Sequence, residues 1–198
     1  MRHFTLTLML IAALAAAPAL ADWSLDPERS AVTYVTIKSK DMAENNSFTQ
    51  MAGSIDGDGQ VRVTLMLDSV ETLVPIRNQR MREIFFETTD YKEALLTAKI
   101  DPKLVADLAV GQIARVAAEG SLQLHGATQP MTLSAMAARL DANTLMVATT
   151  KPLIVDAAKF GLSDRVEKLR EIAGLASISE AVPVTFVVTF VSAPPTAQ

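Results

Sequence analysis

The 198-residue chain carries few groups able to make or break bonds. It has no cysteine, which removes a disulfide scaffold, a thiol nucleophile, a thiolate zinc site, covalent c-type haem attachment and a lipid-modified cysteine. Of its two histidines, His3 lies at the extreme N-terminus and His125 sits beside Gly126 in a stretch with turn chemistry. No nucleophile elbow or paired-histidine metal motif accompanies it, so a turn or hydrogen-bonding role is expected. Asp56-Gly57-Asp58-Gly59-Gln60 opens like a calcium loop, but that loop needs glycine and later glutamate where this chain has Val61 and Leu67. A hairpin turn is the better reading. The spacing of the 22 acidic residues marks no catalytic pair. What remains is Arg77, Arg80 and Arg82, read either as a clamp for an anionic or carbonyl-bearing ligand head or as a solvated helix face pairing with Glu83 and Glu87. Phe85-Phe86, beside Ile84, is core or ligand contact, and inside a closed barrel those can be the same thing. A net charge of −4 and a pI near 5.2 argue against nucleic-acid binding.

These residues must be placed by the elements around them. Arg2 and His3 followed by a nearly unbroken apolar run over residues 4–17, then Ala19-Leu20-Ala21, form the three-part pattern of a secretory leader. The run meets Pro18 and Asp22 before it could cross a bilayer. A cleaved signal over residues 1–21 is therefore expected, with a mature periplasmic domain over residues 22–191 and a disordered tail over 192–198.

Within the mature domain, Val61, Val63, Leu65 and Leu67 alternate with Arg62, Thr64, Met66 and Asp68, the two-residue period of a strand with one apolar face. The same period runs through Val32-Tyr34-Thr36, Val116-Ala118-Gly120-Leu122-Leu124, Met131-Leu133-Ala135-Ala137 and Val182-Val184-Phe186-Val188-Phe190. Turn sequences at 56–59, 125–128 and 141–143 join neighbouring runs as hairpins, hence antiparallel pairing. So many antiparallel strands in one domain must close into a barrel or fold into a sandwich to hide their edges. Two stretches have helical spacing instead: residues 75–86, opening on Pro75, and residues 163–173, opening on Ser163 as a capping residue and stopping before Gly174.

Trp23-Ser24-Leu25-Asp26-Pro27-Glu28-Arg29-Ser30, Thr72 with Arg77, Arg82 and Phe85-Phe86, and Gly120-Ser121-Leu122-Gln123-Leu124-His125-Gly126-Ala127-Thr128-Gln129-Pro130 resemble the YceI family. Phe160-Gly161-Leu162 and the closing strand from Val184 to Phe190 occur in the family's order too. The resemblance implies a mainly β fold: a closed antiparallel lipocalin-like barrel of about eight strands with one or two short helices. It implies a carrier or store for a polyisoprenoid lipid or quinone rather than an enzyme, with no other cofactor. It leaves open a cytochrome b561-type membrane partner and a homodimer. The chain departs from the family pattern around residues 77–92, with Arg77-Asn78 for Arg-Asp, Arg80-Met81-Arg82 for His-Leu-Arg, Ile84 for Asp and Lys92 for Pro, and also at Arg29 for His.

Composition supports a hollow interior independently. One tryptophan, two tyrosines and seven phenylalanines are few for the length, and the inward candidates are often alanine, valine and leucine. An eight-stranded barrel is just wide enough to be filled by side chains or to hold one slender ligand. Alternation selects Val63, Leu65, Leu67, Leu122, Leu124, Phe186 and Val188 as the tunnel wall. Met81, Phe85 and Phe86 stand at one end, Arg77 and Arg80 at the ligand head, and Phe160 enters by the resemblance. Two other accounts compete: a scaffold or stress-response interaction module, and a hydrolase or isomerase of a small apolar substrate, which would need polar groups converging inside.

Overall fold

A computed structural model describes residues 23–192. Residues 1–21, expected as a leader, and 193–198 of the expected tail lie outside the described residues; Ser192, also assigned to that tail, is buried at the end of the last strand. The strands are β1 (Trp23–Lys38), β2 (Met42–Phe48), β3 (Met51–Ile55), β4 (Gln60–Met66), β5 (Val70–Glu71), β6 (Glu93–Lys99), β7 (Ile113–Leu124), β8 (Ala127–Asp141), β9 (Thr144–Thr149), β10 (Leu153–Asp156) and β11 (Ala181–Ser192). Among the described residues three short α-helices interrupt them: α1 (Pro75–Arg80), α2 (Pro102–Ala106) and α3 (Ser163–Ala173).

All strand pairings are antiparallel, and β11 pairs back onto β1 to close the sheet. Eight strands form the barrel in the order β1-β3-β4-β6-β7-β8-β9-β11, while β2, β5 and β10 are additions at one end. The closed barrel of about eight strands that the resemblance implied is thus found, with three further strands added to it. Leu67 is the first residue of a 3₁₀ turn rather than the end of a strand. It is nonetheless fully buried, because a strand leaving the barrel wall must turn sharply and an apolar side chain there stays inside.

The seam explains the motif at the start of the domain. β1 carries an irregularity between Asp26 and Ala31. Asp26 accepts from the Glu28 amide at 3.0 Å and from Arg29 Nε at 2.7 Å, and Ser30 Oγ donates to the Asp26 carbonyl at 2.6 Å. Thr189 of β11 then joins this bulge through its amide to Ser30 Oγ and its hydroxyl to the Arg29 carbonyl. A bulge bends and twists a strand, which is what bringing the first strand onto the last requires. The turn between β7 and β8 is equally specified: His125 and Gly126 both have positive φ, 50° and 77°, the backbone pair that a two-residue hairpin demands.

The helices cap the two ends. α2 closes the end near Ile55 and Ile100, where Arg139 is buried and donates to the carbonyls of Val105, Leu108 and Ala142 while lying 4.7 Å from the Trp23 ring. α1 and α3 cover the opposite end. The 75–86 segment is not one uniform helix: after Arg80 it widens, over Met81–Phe85, into a π-turn whose Phe86 amide donates to the Met81 carbonyl at 2.8 Å. The wider turn brings Phe86 beneath Met81 beside Phe85, so that all three side chains face inward. α3 has the bounds expected from sequence and ends on Gly174 in the left-handed region. Its start differs: Leu162 is the N-cap and Ser163 makes no capping bond.

Candidate ligand-binding cavity

The barrel encloses a cavity of about 470 Å³ that runs from Ile55, Val105 and Leu145 at the α2 end to Leu67, Met81 and Leu124 under α1. Its walls follow strand alternation. Val63 and Leu65 of β4, Leu122 and Leu124 of β7, and Phe186 and Val188 of β11 all line it. So do Met81, Phe85 and Phe86 from the π-turn and Arg77 and Arg80 from α1. Room is left because Ala94, Ala98, Ala118, Ala135, Ala137 and Ala157 occupy inward positions. Val63, Leu65, Leu96, Leu122 and Phe186 point inward yet are only half-buried. A barrel interior filled by its own side chains would bury them.

Phe160 is the exception among the residues selected from sequence. It is buried at 3% exposure but does not line the cavity; it packs in the core layer with Leu162 and Val166. Its 3₁₀ turn, Ala157–Phe160, lies behind the wall, so Ala157 and Leu162 rather than Phe160 reach the space. The helix over 163–173 was legible in sequence but not its place at the cavity: Leu162 at the N-cap and Val166, Leu169 and Ala173 of α3 form one helical face over the space. Val74 sits in a loop with no period to read, and the helical spacing that includes Ile76 does not by itself show that this residue faces the cavity.

The polar groups gather on one side of the mouth. Tyr34, Thr36 and Lys38 succeed one another on the inward face of β1, with Glu44 of β2 paired opposite Thr36. Glu44 binds Lys38 at 2.8 Å and Arg77 at 2.5 Å, and Arg77 also donates to the Thr72 carbonyl. The Lys38 hydrogen bond, aided by the Arg77 charge, holds the Glu44 carboxyl below its ordinary range. It therefore stays ionised and bound rather than serving as an acid. Arg77 is thus held in an ion pair, but with Glu44 and not with the residues expected from sequence. Glu83 instead accepts from Gln79, and Glu87 binds Arg165 and His125.

Deeper in, Tyr34 stacks in a chain of rings, 5.5 Å from Phe48, which lies 5.8 Å from Phe86, itself 4.9 Å from Phe85. The Tyr34 hydroxyl is buried and has no hydrogen-bond partner among the described residues. Burial pushes its ionisation well above the ordinary phenol value, against the pull of Arg77.

His125 stands outside the cavity. Its Nε2 meets Glu87 at 3.0 Å and its ring lies 3.9 Å from that of Tyr91. With Arg165 of α3 on the same carboxylate, the arrangement ties the β7–β8 turn and α3 to the end of the π-turn. The Arg165 hydrogen bond is the main influence holding the Glu87 carboxyl low, followed by His125. The Asp56–Gly59 loop is a hairpin turn in which Asp56 accepts from the amides of Asp58 and Gln60. Among the described residues no group of acidic or histidine side chains is arranged to hold a metal ion.

Asn78 shows how one departure from the family pattern is accommodated. Its side-chain oxygen accepts from the Thr72 amide and hydroxyl at 2.8 and 2.5 Å, while its nitrogen donates to Glu71 at 3.0 Å. An aspartate could accept the first two bonds but would repel Glu71.

The model of the YceI-like domain matches residues 23–190. A polyisoprenoid-binding domain from Saccharophagus degradans, implicated in plant cell wall breakdown, is 36% identical, covers 88% of this chain and 99% of its own, and superposes with a TM-score of 0.84. BcnA of Burkholderia cenocepacia shares the fold at 16% identity, 83% and 98% coverage and a TM-score of 0.65. A Campylobacter jejuni YceI protein does so at 16% identity, 75% and 84% coverage and 0.50. None of the curated proteins matches the chain. The seam, the hairpin motif and the enclosed cavity agree with a match spanning almost all the described residues, and the chain belongs to the YceI family.

Proposed function

We propose that the protein sequesters a polyisoprenoid, or a similarly long apolar molecule, inside the barrel without covalent chemistry. The observation that carries this reading is the set of inward aliphatic and aromatic residues left half-buried around an enclosed apolar cavity. Burial of the ligand contributes about 0.8 kcal/mol per CH2, which over a few isoprene repeats offsets the cost of immobilising it. In this reading Val63, Leu65, Leu67, Leu122, Leu124, Phe186 and Val188 contact the chain and Met81, Phe85 and Phe86 cover it. Arg77 and Arg80 face its polar end. The ligand of the Saccharophagus degradans relative belongs to the same chemical class. The carrier works in the periplasm, as the leader-like residues 1–21 suggest, and a cytochrome b561-type membrane protein is one destination for the cargo.

The enzyme account lacks converging chemistry. Among the described residues Glu44 is the one carboxylate lining the cavity, held by two cations at the rim, and His125 lies elsewhere. The test is solvent extraction of protein purified from its native periplasm, followed by mass spectrometry. Recovery of a stoichiometric isoprenoid is expected; recovery of none, together with failure to take up added polyprenol, would overturn the reading.

A further inference from the structure

The loop that leads into α1 presents apolar side chains outward at the cavity mouth. Leu73 is 85% exposed, Ile76 52% and Val74 39%. Other exposed aliphatic residues, among them Val110, Ile113, Leu140 and Ile154, lie away from the mouth and do not line the cavity. These three fall within four positions, and two of them, Val74 and Ile76, also line the cavity. An apolar path therefore runs unbroken from the protein surface to the barrel interior.

The loop is held in this pose. Leu73 has φ 61°, a conformation unfavourable for a leucine. Its amide donates to Glu71 at 2.5 Å, and Asn78 holds Glu71 and the buried Thr72 on either side. Thr72 is thus pulled in while Leu73 is turned out. Arg80 and Arg82 flank the tip, and neither forms an ion pair among the described residues. Long cationic side chains beside exposed aliphatic ones suit the interface of an anionic bilayer, where the stems lie among acyl chains and the heads among phosphates.

We propose that residues 73–76, with Arg80 and Arg82, dock the cavity mouth onto the interface of a phospholipid bilayer, so that cargo passes between membrane and barrel without crossing water. The passage of cargo rests on the carrier reading above; the docking does not.

Two measurements separate them. The first is co-sedimentation of the purified protein, without added cargo, with vesicles of phosphatidylethanolamine and phosphatidylglycerol. Leu73→Asn is the main variant, since asparagine accepts the left-handed backbone and Leu73 does not line the cavity. It should lower partitioning about tenfold, the effect of withholding one leucine from the apolar phase. Arg82→Glu should lower it about fivefold or more on these vesicles and much less on phosphatidylcholine. The second is titration with farnesol, which both variants should bind as the wild type does. Absence of wild-type binding to any vesicle, or equal partitioning of wild type and Leu73→Asn, overturns the docking proposal. Vesicle binding without farnesol uptake leaves docking standing and counts against the carrier reading.

Discussion

Filling the cavity from its wall tests whether the space is real and whether it is where the ligand sits. Ala135 on β8 is 5% exposed, lines the cavity and pairs with Val116 of β7. In Ala135→Phe a benzyl group replaces a methyl group and takes about the room of one isoprene repeat. Denying the ligand about five carbons at ~0.8 kcal/mol each removes about 4 kcal/mol of burial, close to a thousandfold in Kd. Some of that loss will be recovered if the ligand slides along the tunnel. Stability gives the second reading. In a filled interior the added ring would cost about 1–3 kcal/mol through overpacking; entering an open cavity it should cost less, since it fills space instead of displacing neighbours. The assays are calorimetric titration with geranylgeraniol and urea unfolding of the unliganded protein. The expected result is a folded variant of near wild-type stability with strongly weakened uptake. A stably folded variant with unchanged affinity would refute the internal site, and a destabilised variant with unchanged affinity would mean the interior is packed.

Tyr34→Phe removes a buried hydroxyl that has no partner, so urea unfolding should show no loss of stability and a gain of up to about 1 kcal/mol; a clear loss would refute the assignment of that hydroxyl as unpaired. For Glu44→Gln, the carboxyl is held below its ordinary range by Lys38 and Arg77. Its stabilising contribution is present above the unfolded carboxyl pKa and disappears as pH falls through the lower folded value. The variant should therefore melt slightly below wild type at neutral pH and alongside it in acid, the difference staying under about 1 kcal/mol because the pair is partly solvated. Arg139→Ala strips three carbonyls and the Trp23 ring of their partner at the α2 end and should cost about 2–4 kcal/mol in denaturant unfolding. Asn78→Asp sets a second carboxylate against Glu71 and should lower the melting temperature at neutral pH, with the deficit shrinking as the pH is reduced; a constant deficit would point to lost hydrogen bonding instead.

Much of the barrel wall was legible because a strand's inward residues recur at every second position. Val63, Leu65, Leu122, Leu124, Phe186 and Val188 follow from that period alone, and each lines the cavity. The turn at His125-Gly126 and the end of α3 at Gly174 were equally local, since each depends on a backbone conformation written into one or two residues. Phe160 was misjudged because burial and facing a cavity look the same in a sequence: a phenylalanine in a 3₁₀ turn can be fully packed behind the wall. The arginines were misjudged in their partners for a related reason. Glu44 lies far from Arg77 in the chain, and only the folding of α1 over the β1–β2 hairpin brings them together.

The sequence by itself determined the antiparallel strands β1, β4, β7, β8 and β11, the side of each of these that faces inward and the scarcity of large rings to fill the interior, because alternation, turn chemistry and side-chain volume are properties of neighbouring residues. Tertiary structure decided the rest. It placed the seam at the Asp26–Ser30 bulge, inserted the π-turn that brings Phe86 beside Phe85, and left a continuous cavity. It also turned Leu73 outward at the mouth. Each of these depends on which distant segments meet, and that is settled by barrel closure and not by any local pattern.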